Sequence, residues 1–196
     1  ADGSTVSVPA PTCLVEADHL INLHLLKGHA GGASGAMKNL FGLARNVFDT
    51  FHGRRDWGLS NYDDGHQCAD LATQPLIRAK SKLLIAEGVF STWFHANKAP
   101  DRFRNEELFP SGVPCTVIAG RNPLHHDMVL FDLLAAERAA ARLTEGYDYY
   151  PDTWLQDCAR KPYRFGLFEH GRLVPGEHTP LDLEYEFLDY RSFTTS

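Results

Sequence analysis

Residues 21–42 hold an apolar run that ends in a histidine, followed by a glycine-rich loop, a lysine and an asparagine. A histidine at a strand end can transfer a proton or bind a metal, because its pKa lies near physiological pH. We therefore take His29 as the candidate acid/base. The N–H groups at a helix N-terminus attract anions, and neighbouring lysines reinforce that preference. The residues predicted to bind or orient an anionic ligand are Lys27, Ser34, Gly35, Lys38 and Asn39.

A second set of side chains suits metal binding. His125, His126 and Asp127 begin a long helical pattern, and Glu87 ends an apolar strand. Imidazoles and carboxylates together suit zinc, iron, nickel or manganese. Adjacent residues at a helix start point in different directions, so at most two of the three neighbours are expected to face one ligand. Alternatively, Asp127 only favours the helix dipole, both histidines are solvated, and Glu87 makes an ordinary turn hydrogen bond.

The glycine-rich loop is predicted to be a strand-to-helix turn. Residues 19–26 have the length and flanks of a buried strand, and residues 34–45 carry helix formers with an apolar stripe. Ser34 is the expected N-cap of that helix. Glycines allow a positive φ or the close approach of a ligand. In the alternative interpretation they only let the helix pack closely on the sheet, and both lysines are solvated.

Strands and helices alternate along the rest of the chain. A helix is predicted over residues 67–80, broken at Pro75, and a strand over 82–88. A long loop over 90–114 leads to a strand over 115–120. Helices over 124–142 and 149–159 and an edge strand over 183–190 follow. This order predicts a single α/β domain over residues 1–196, with a mixed or mostly parallel sheet flanked by helices, long irregular loops and an extended segment over residues 1–14. The loops after Leu26, Glu87 and Gly120 are expected to meet outside the carboxyl ends of the strands.

Composition excludes several classes of protein. The 196 residues carry a formal charge of −6 and no basic stripe, which argues against a nucleic-acid partner. No apolar run reaches the length of about 18 residues that a membrane span needs. The four cysteines are far apart without a C-x-x-C pair, so no iron–sulfur cluster is expected from this chain alone. Buried thiols and two disulfides both fit that spacing.

The stretch EADHLINLHLLKGHAGGASGAMKNLFG resembles the signature region of the family called domain of unknown function 362, which has an "INxPxLKxH" run, a glycine turn and "GALKNLFG". The resemblance continues through RNPLHHDMVLFDLL, where members have "DPVAxD" before a long helix, and covers most of residues 15–190. His24 stands where the family usually has proline, and Glu87 where aspartate is usual. His125 and His126 replace small apolar residues. The extra histidines suggest a metal-binding variant.

The same resemblance implies a cellular context. The family's common form has an N-terminal region that supplies an earlier strand and helix, so the chain is expected to be the C-terminal portion of a larger protein, or part of an assembly with an exposed sheet edge. Many relatives are exported by a twin-arginine signal, which implies a periplasmic or other extracytoplasmic location, with the cytoplasm as the alternative. Some members carry a four-iron cluster module, for which this chain lacks the cysteines.

The segment HAGGASGAMK is also similar to part of the nickel-pincer lactate racemase family, in which the histidine moves a proton and the lysine holds the cofactor. The similarity assigns catalytic roles to His29 and Lys38. The spacing is one residue shorter here, Ala36 replaces a glycine, and the downstream nickel-ligating histidine has no match at its usual distance. The similarity therefore implies a shared site architecture rather than a shared cofactor.

These observations predict a small anionic molecule, bound with nickel, iron or zinc or with a metallocofactor at the strand-end loops. The activity would be redox or proton-transfer chemistry, as in a metal-dependent oxidoreductase or isomerase. The alternative is a non-catalytic binding or assembly subunit, in which the glycine turn serves packing alone and the aromatic loop around Trp93 docks a protein partner.

Overall fold

A computed structural model describes residues 9–29, 32–44, 65–92, 100, 102–141, 155, 158 and 165. The edge strand predicted over residues 183–190 lies outside the described residues. Of the helix predicted over residues 149–159, Leu155 and Cys158 are described, and both are helical.

The elements follow the predicted alternation of strands and helices. In chain order they are α1 (Thr12–Glu16), β1 (Leu20–His29), β2 (Gly32–Ala33), α2 (Ala36–Asn39) with a 3-10 turn over Leu40–Leu43, α3 (Gly65–Ala72), α4 (Pro75–Lys80), β3 (Ser81–Thr92), β4 (Thr116–Gly120) and α5 (Pro123–Ala140). Pro75 begins α4, so the predicted break in the helix over residues 67–80 is present. The last three residues of the expected extended segment, 12–14, are helical because α1 begins at Thr12.

The sheet has the order β2-β1-β3-β4 and is mixed, which confirms the predicted α/β class. β1 runs parallel to β3, whereas β2 and β4 are antiparallel to their neighbours. Gly120, at the carboxyl end of β4, therefore pairs with Leu84 rather than with a residue near the end of β3. The expectation that the loop after Gly120 meets those after Leu26 and Glu87 was wrong. An antiparallel neighbour needs no crossover helix, and described residues 102–115 contain none.

Strand alternation divides β1 into two faces. Asn22, His24 and Leu26 are buried, whereas Leu23 and Leu25 between them are 65% and 47% exposed. Successive side chains of a strand point to opposite faces of the sheet, so the buried set faces the helices. The fully buried core side chains on that side include Leu26, Met37, Leu124, Leu130 and Leu134. The inward face of β1 thus carries two polar side chains among apolar ones.

The irregular residues 102–114 are fixed to α5 by one buried carboxylate. Glu137 has no exposed surface, and its two oxygens accept hydrogen bonds from the backbone N–H groups of Arg104 and Asn105 at 2.8–2.9 Å. A buried carboxylate is tolerated when such donors replace water. The long loop predicted over residues 90–114 begins later than expected, because β3 continues to Thr92.

Among the described residues, no helix is both long and apolar enough to cross a membrane. The four cysteines are all described, and no disulfide joins any of them. Cys68 and Cys158 are buried, and Cys13 and Cys115 are exposed.

Candidate metal site

The glycine turn places the N-terminus of α2 against a carboxylate that lies about 90 residues further along the chain. Asp127, on α5, is fully buried. Its Oδ1 accepts the N–H of Ala36 at 2.6 Å, and its Oδ2 accepts the N–H of Met37 at 3.0 Å. Gly35 rather than Ser34 precedes the helix, and no side chain of its own caps it. The N–H groups predicted to hold an external anion are therefore bound to Asp127.

Gly35 leaves the space that this carboxylate occupies. A Cβ on Gly35 would lie 2.2 Å from Oδ1 and 2.4 Å from Cγ of Asp127. The backbone φ of Gly35 is −92°, which any residue adopts. The glycine is thus required for the close approach of a side chain and not for its dihedral freedom.

His126 has both ring nitrogens near acceptors. Nδ1 lies 3.3 Å from Oδ1 of Asp127, and Nε2 lies 3.3 Å from the carbonyl oxygen of Ile118. If Nε2 carries the proton and donates it to Ile118, the lone pair of Nδ1 faces Asp127. Metal-bound histidines are commonly oriented by such a bond from the second nitrogen to a carbonyl.

His24 completes the group from β1. Its side chain is buried, and neither ring nitrogen has a hydrogen-bond partner among the described residues. The His24 and His126 rings stand edge to face with centroids 4.9 Å apart. Burial lowers the pKa of His24 to about 4; the charge of Asp127 acts to raise this pKa, whereas His126 and Lys27 lower it further. His24 is therefore neutral near pH 7, which is the form that binds metals.

Ligand atoms of His24, His126 and Asp127 all lie within 4.8 Å of one another. Two imidazole nitrogens and one carboxylate oxygen form a borderline donor set that favours zinc, iron or nickel over magnesium or calcium. Three protein ligands are also the usual number in catalytic zinc sites, which keep one position open. This buried group could hold a metal ion.

The sheet explains why Glu87 lies apart from this group. In the strand register His24 pairs with Ala86, and Ala86 with Ile118. Glu87 is the next residue of β3, so it points to the opposite face. Its Oε1 accepts the N–H of Val89 at 2.5 Å and that of Phe90 at 3.4 Å.

Of the three neighbours at the start of α5, the structure brings His126 and Asp127 together and leaves His125 outside the group. His125 is half-buried in the first turn of α5, where its N–H donates to the side chain of Asn122 at 3.2 Å.

The predicted ligand-binding residues around α2 have other positions. Asn39 donates to Oδ1 of Asn22 at 2.7 Å and to the carbonyl of Leu23 at 3.0 Å. Asn22 in turn donates to the carbonyl of Ala36 at 2.8 Å, so this amide pair fastens α2 to β1. The N–H of Ser34 donates to the carbonyl of Lys27 at 2.9 Å and stabilises the turn.

The remaining two predicted residues flank the same turn. Lys38 is half-buried on α2 and makes contacts of its own. His29 is the last residue of β1 and pairs through its backbone with Gly32; its side chain lies outside the described residues.

His24 was noted only as an extra histidine relative to the family, and neither His24 nor Asn22 was among the predicted site residues. The signal that identifies them is parity along the strand: both alternate with exposed apolar residues and share a face with Leu26. Polar side chains on the inward face of an apolar strand need partners inside the protein.

A mixed sheet with a buried His/His/Asp group between its inward face and α5 defines an α/β protein with a candidate metal site. The chain belongs to the family described as domain of unknown function (DUF362), whose sequence profile matches residues 3–132. No curated protein and no solved structure matches the chain. The family match confirms the resemblance drawn from the glycine-turn motif. The description of the family names no reaction.

Replacing Gly35 with alanine should displace the Asp127 carboxylate and break its hydrogen bonds to α2. Two charge-assisted bonds are at stake, so we expect the free energy of unfolding to fall by about 3 kcal/mol. Denaturant titration followed by circular dichroism measures this loss. Gly42→Ala is the matched control, because nothing lies within 4 Å of its added Cβ. Equal stability of the two variants would contradict the packing role of Gly35.

Metal-free protein should lose stability as the pH falls from about 6.5 to about 4. In that window the unfolded chain protonates His24, whereas the folded protein keeps it neutral, so the unfolded state binds more protons. The loss attributable to this histidine is on the order of 3 kcal/mol and is complete below pH 4. Unfolding in chelator over this range should show a shallower pH dependence for His24→Gln than for the wild type. If stability fell in parallel for the wild type and His24→Gln, the pKa of His24 would not be lowered by folding.

Proposed function

We propose that this protein binds a divalent transition-metal ion through His24, His126 and Asp127. The observation that carries the proposal is the buried His24 side chain. Among the described residues its ring nitrogens have no hydrogen-bond partner, and one of them lies within 4.8 Å of a ligand atom of His126 and of Asp127. A buried polar atom without a partner costs free energy. An ion bound to one ring nitrogen of His24 would give that nitrogen a partner.

The groups that hold Asp127 and His126 in place support the same proposal. Asp127 is held by two backbone N–H groups, and Nε2 of His126 lies next to a carbonyl. Both side chains are thus oriented before an ion arrives. Ala86, which pairs with His24 on β3, is fully buried and small, so the sheet leaves room for the two rings.

The activity that we infer from such a site is proton transfer or redox chemistry on a small anionic molecule. The ion would supply Lewis acidity, and an open coordination position would admit an oxygen of the substrate. His29 and Lys38 stay the proposed catalytic side chains. Both flank the turn between β1 and α2, the helix that holds Asp127.

Protein purified without chelators should contain close to one equivalent of zinc, nickel or iron by elemental mass spectrometry. Zinc titration of the chelator-treated protein should give an affinity at least about tenfold weaker for His24→Ala and for His126→Ala. His19→Ala is the control, since this exposed histidine immediately precedes β1. Unchanged zinc binding by a folded His24→Ala variant, or a wild type that binds none of the three metals, would contradict the proposal.

A second candidate function is a binding or assembly subunit, and the outward face of the sheet favours it. Ile21, Leu23 and Leu25 on β1 are 56%, 65% and 47% exposed, and Val117 on β4 is 65% exposed. Leu23 pairs with Ile85 on β3 and Ile85 with Ala119 on β4, so three apolar residues form one row across this face. Contiguous apolar surface of this kind marks protein interfaces.

If that face binds a second chain, light scattering after size exclusion should give a defined mass above that of one chain. Leu23→Lys should return the mass to a single chain without unfolding it, because the side chain is exposed in the isolated chain. Thr73→Lys, on the helical side between α3 and α4, is the control. A monomeric wild type would refute the assembly role.

A further inference from the structure

A cavity of about 290 Å³ lies beside the candidate metal site and is distinct from it. It opens between the start of the sheet and the helices α2 and α4, with the N-terminus of α5 on one side. Its apolar wall includes Leu40, Ile77 and Leu84. Small-molecule sites of proteins begin at about this volume and combine apolar walls with a few polar groups.

Two arginines give this cavity a positive character. Arg78 comes from α4 and Arg121 follows β4. No acidic residue is among the described lining residues, although the chain as a whole has a formal charge of −6. Within the described part of the chain, neither guanidinium forms a salt bridge. Both arginines are exposed, so an anion can reach their guanidinium groups from solvent, and a guanidinium matches the geometry of a carboxylate or phosphate.

The two amide side chains of the cavity, Asn22 and Asn122, are engaged elsewhere. The Asn22 amide bonds Ala36 and Asn39. Oδ1 of Asn122 accepts the N–H groups of Leu124 and His125, and its Nδ2 donates to the carbonyl of Phe165 at 2.5 Å. These amides shape the wall, and the arginines carry the charge that a ligand meets.

Arg78 is also partly oriented before any ligand arrives. Its guanidinium lies 5.9 Å from the centre of the Phe165 ring, over the face. Such stacking restricts the planar group while leaving its N–H donors available at the ring's edge. A carboxylate or phosphate accepts two parallel hydrogen bonds from such a group.

We infer that this cavity binds a small organic anion, with a carboxylate or phosphate held by Arg78 and Arg121 and the carbon skeleton against the apolar wall. The binding site is new relative to the helix N-terminus predicted from the sequence, where Asp127 already occupies the N–H groups. The volume admits a small metabolite.

The anion site and the metal group occupy successive inward-facing rows of the sheet. Asn22 and Leu84 line the cavity, and Leu84 pairs with Gly120. His24 lies two residues beyond Asn22, which is a distance of about 7 Å along a strand. Ala36 forms the wall between the sites, since its carbonyl accepts from Asn22 and its N–H donates to Asp127. Anion binding requires no metal in this arrangement.

Isothermal titration of the full chain with succinate and with inorganic phosphate tests the inference, with neutral succinamide as the matched uncharged probe. We expect at least one anion to bind and succinamide not to bind. Arg78→Gln and Arg121→Gln should each weaken that binding by about tenfold, because each removes a charged donor pair. Arg104→Gln is the control, an exposed arginine whose contact with Glu137 is made by its backbone.

Comparison of the two anions identifies the recognised group: tighter succinate binding assigns a carboxylate ligand, and tighter phosphate binding a phosphate ligand. Binding of neither anion, or equal affinity of the wild type and the folded double variant Arg78→Gln/Arg121→Gln, would overturn the inference. His24→Ala should keep the wild-type anion affinity, and the double variant should keep the wild-type zinc affinity. Failure of the metal proposal is therefore distinguishable from failure of this one.

Discussion

The hydrogen bonds between the Asp127 carboxylate and the first two N–H groups of α2 are the constraint on which the rest of the site depends. A helix of four residues has too few internal bonds to be stable alone. Asp127 supplies the missing acceptor, and Met37 supplies a fully buried side chain. In return, α2 satisfies a carboxylate that has no access to water. Each partner makes the burial of the other tolerable.

The same contact joins parts of the chain that are 90 residues apart and sets the geometry of the metal group. Because both oxygens are engaged by backbone donors, the carboxylate cannot rotate toward solvent, and the neighbouring His126 ring is held between it and the carbonyl of Ile118. His24 reaches this point from the inward face of β1. Desolvation keeps the His24 imidazole neutral near pH 7.

The mixed sheet decides where polar chemistry lies in this fold. In a parallel sheet the loops at the carboxyl ends meet, whereas here β4 runs the other way and brings Gly120 next to Leu84. Arg121 and the N-terminus of α5 consequently lie at the start of β3, beside α4. The His/His/Asp group and the cationic cavity are therefore arranged in rows on one face of the sheet, with Ala36 between them. A rearrangement of α2 would affect both sites, since both share that residue.

Local pattern in the sequence determined most of the element order, the α/β class and the family, because periodicity, Pro75 and the glycine turn act within a few residues of chain. It also identified His126 and Asp127 as chemically capable residues. The direction of β4, the partner of the α2 N–H groups and the grouping of His24 with His126 were decided by tertiary structure. The last two features depend on contacts between residues about 90 to 100 positions apart, and the direction of β4 depends on pairs such as Leu84 and Gly120. Local spacing does not reveal such contacts. Gly35 illustrates the difference. The sequence alone predicts a glycine turn at this position, but the reason that a glycine is needed is the Asp127 carboxylate. In the folded chain an oxygen of that carboxylate would lie 2.2 Å from a Cβ added to Gly35.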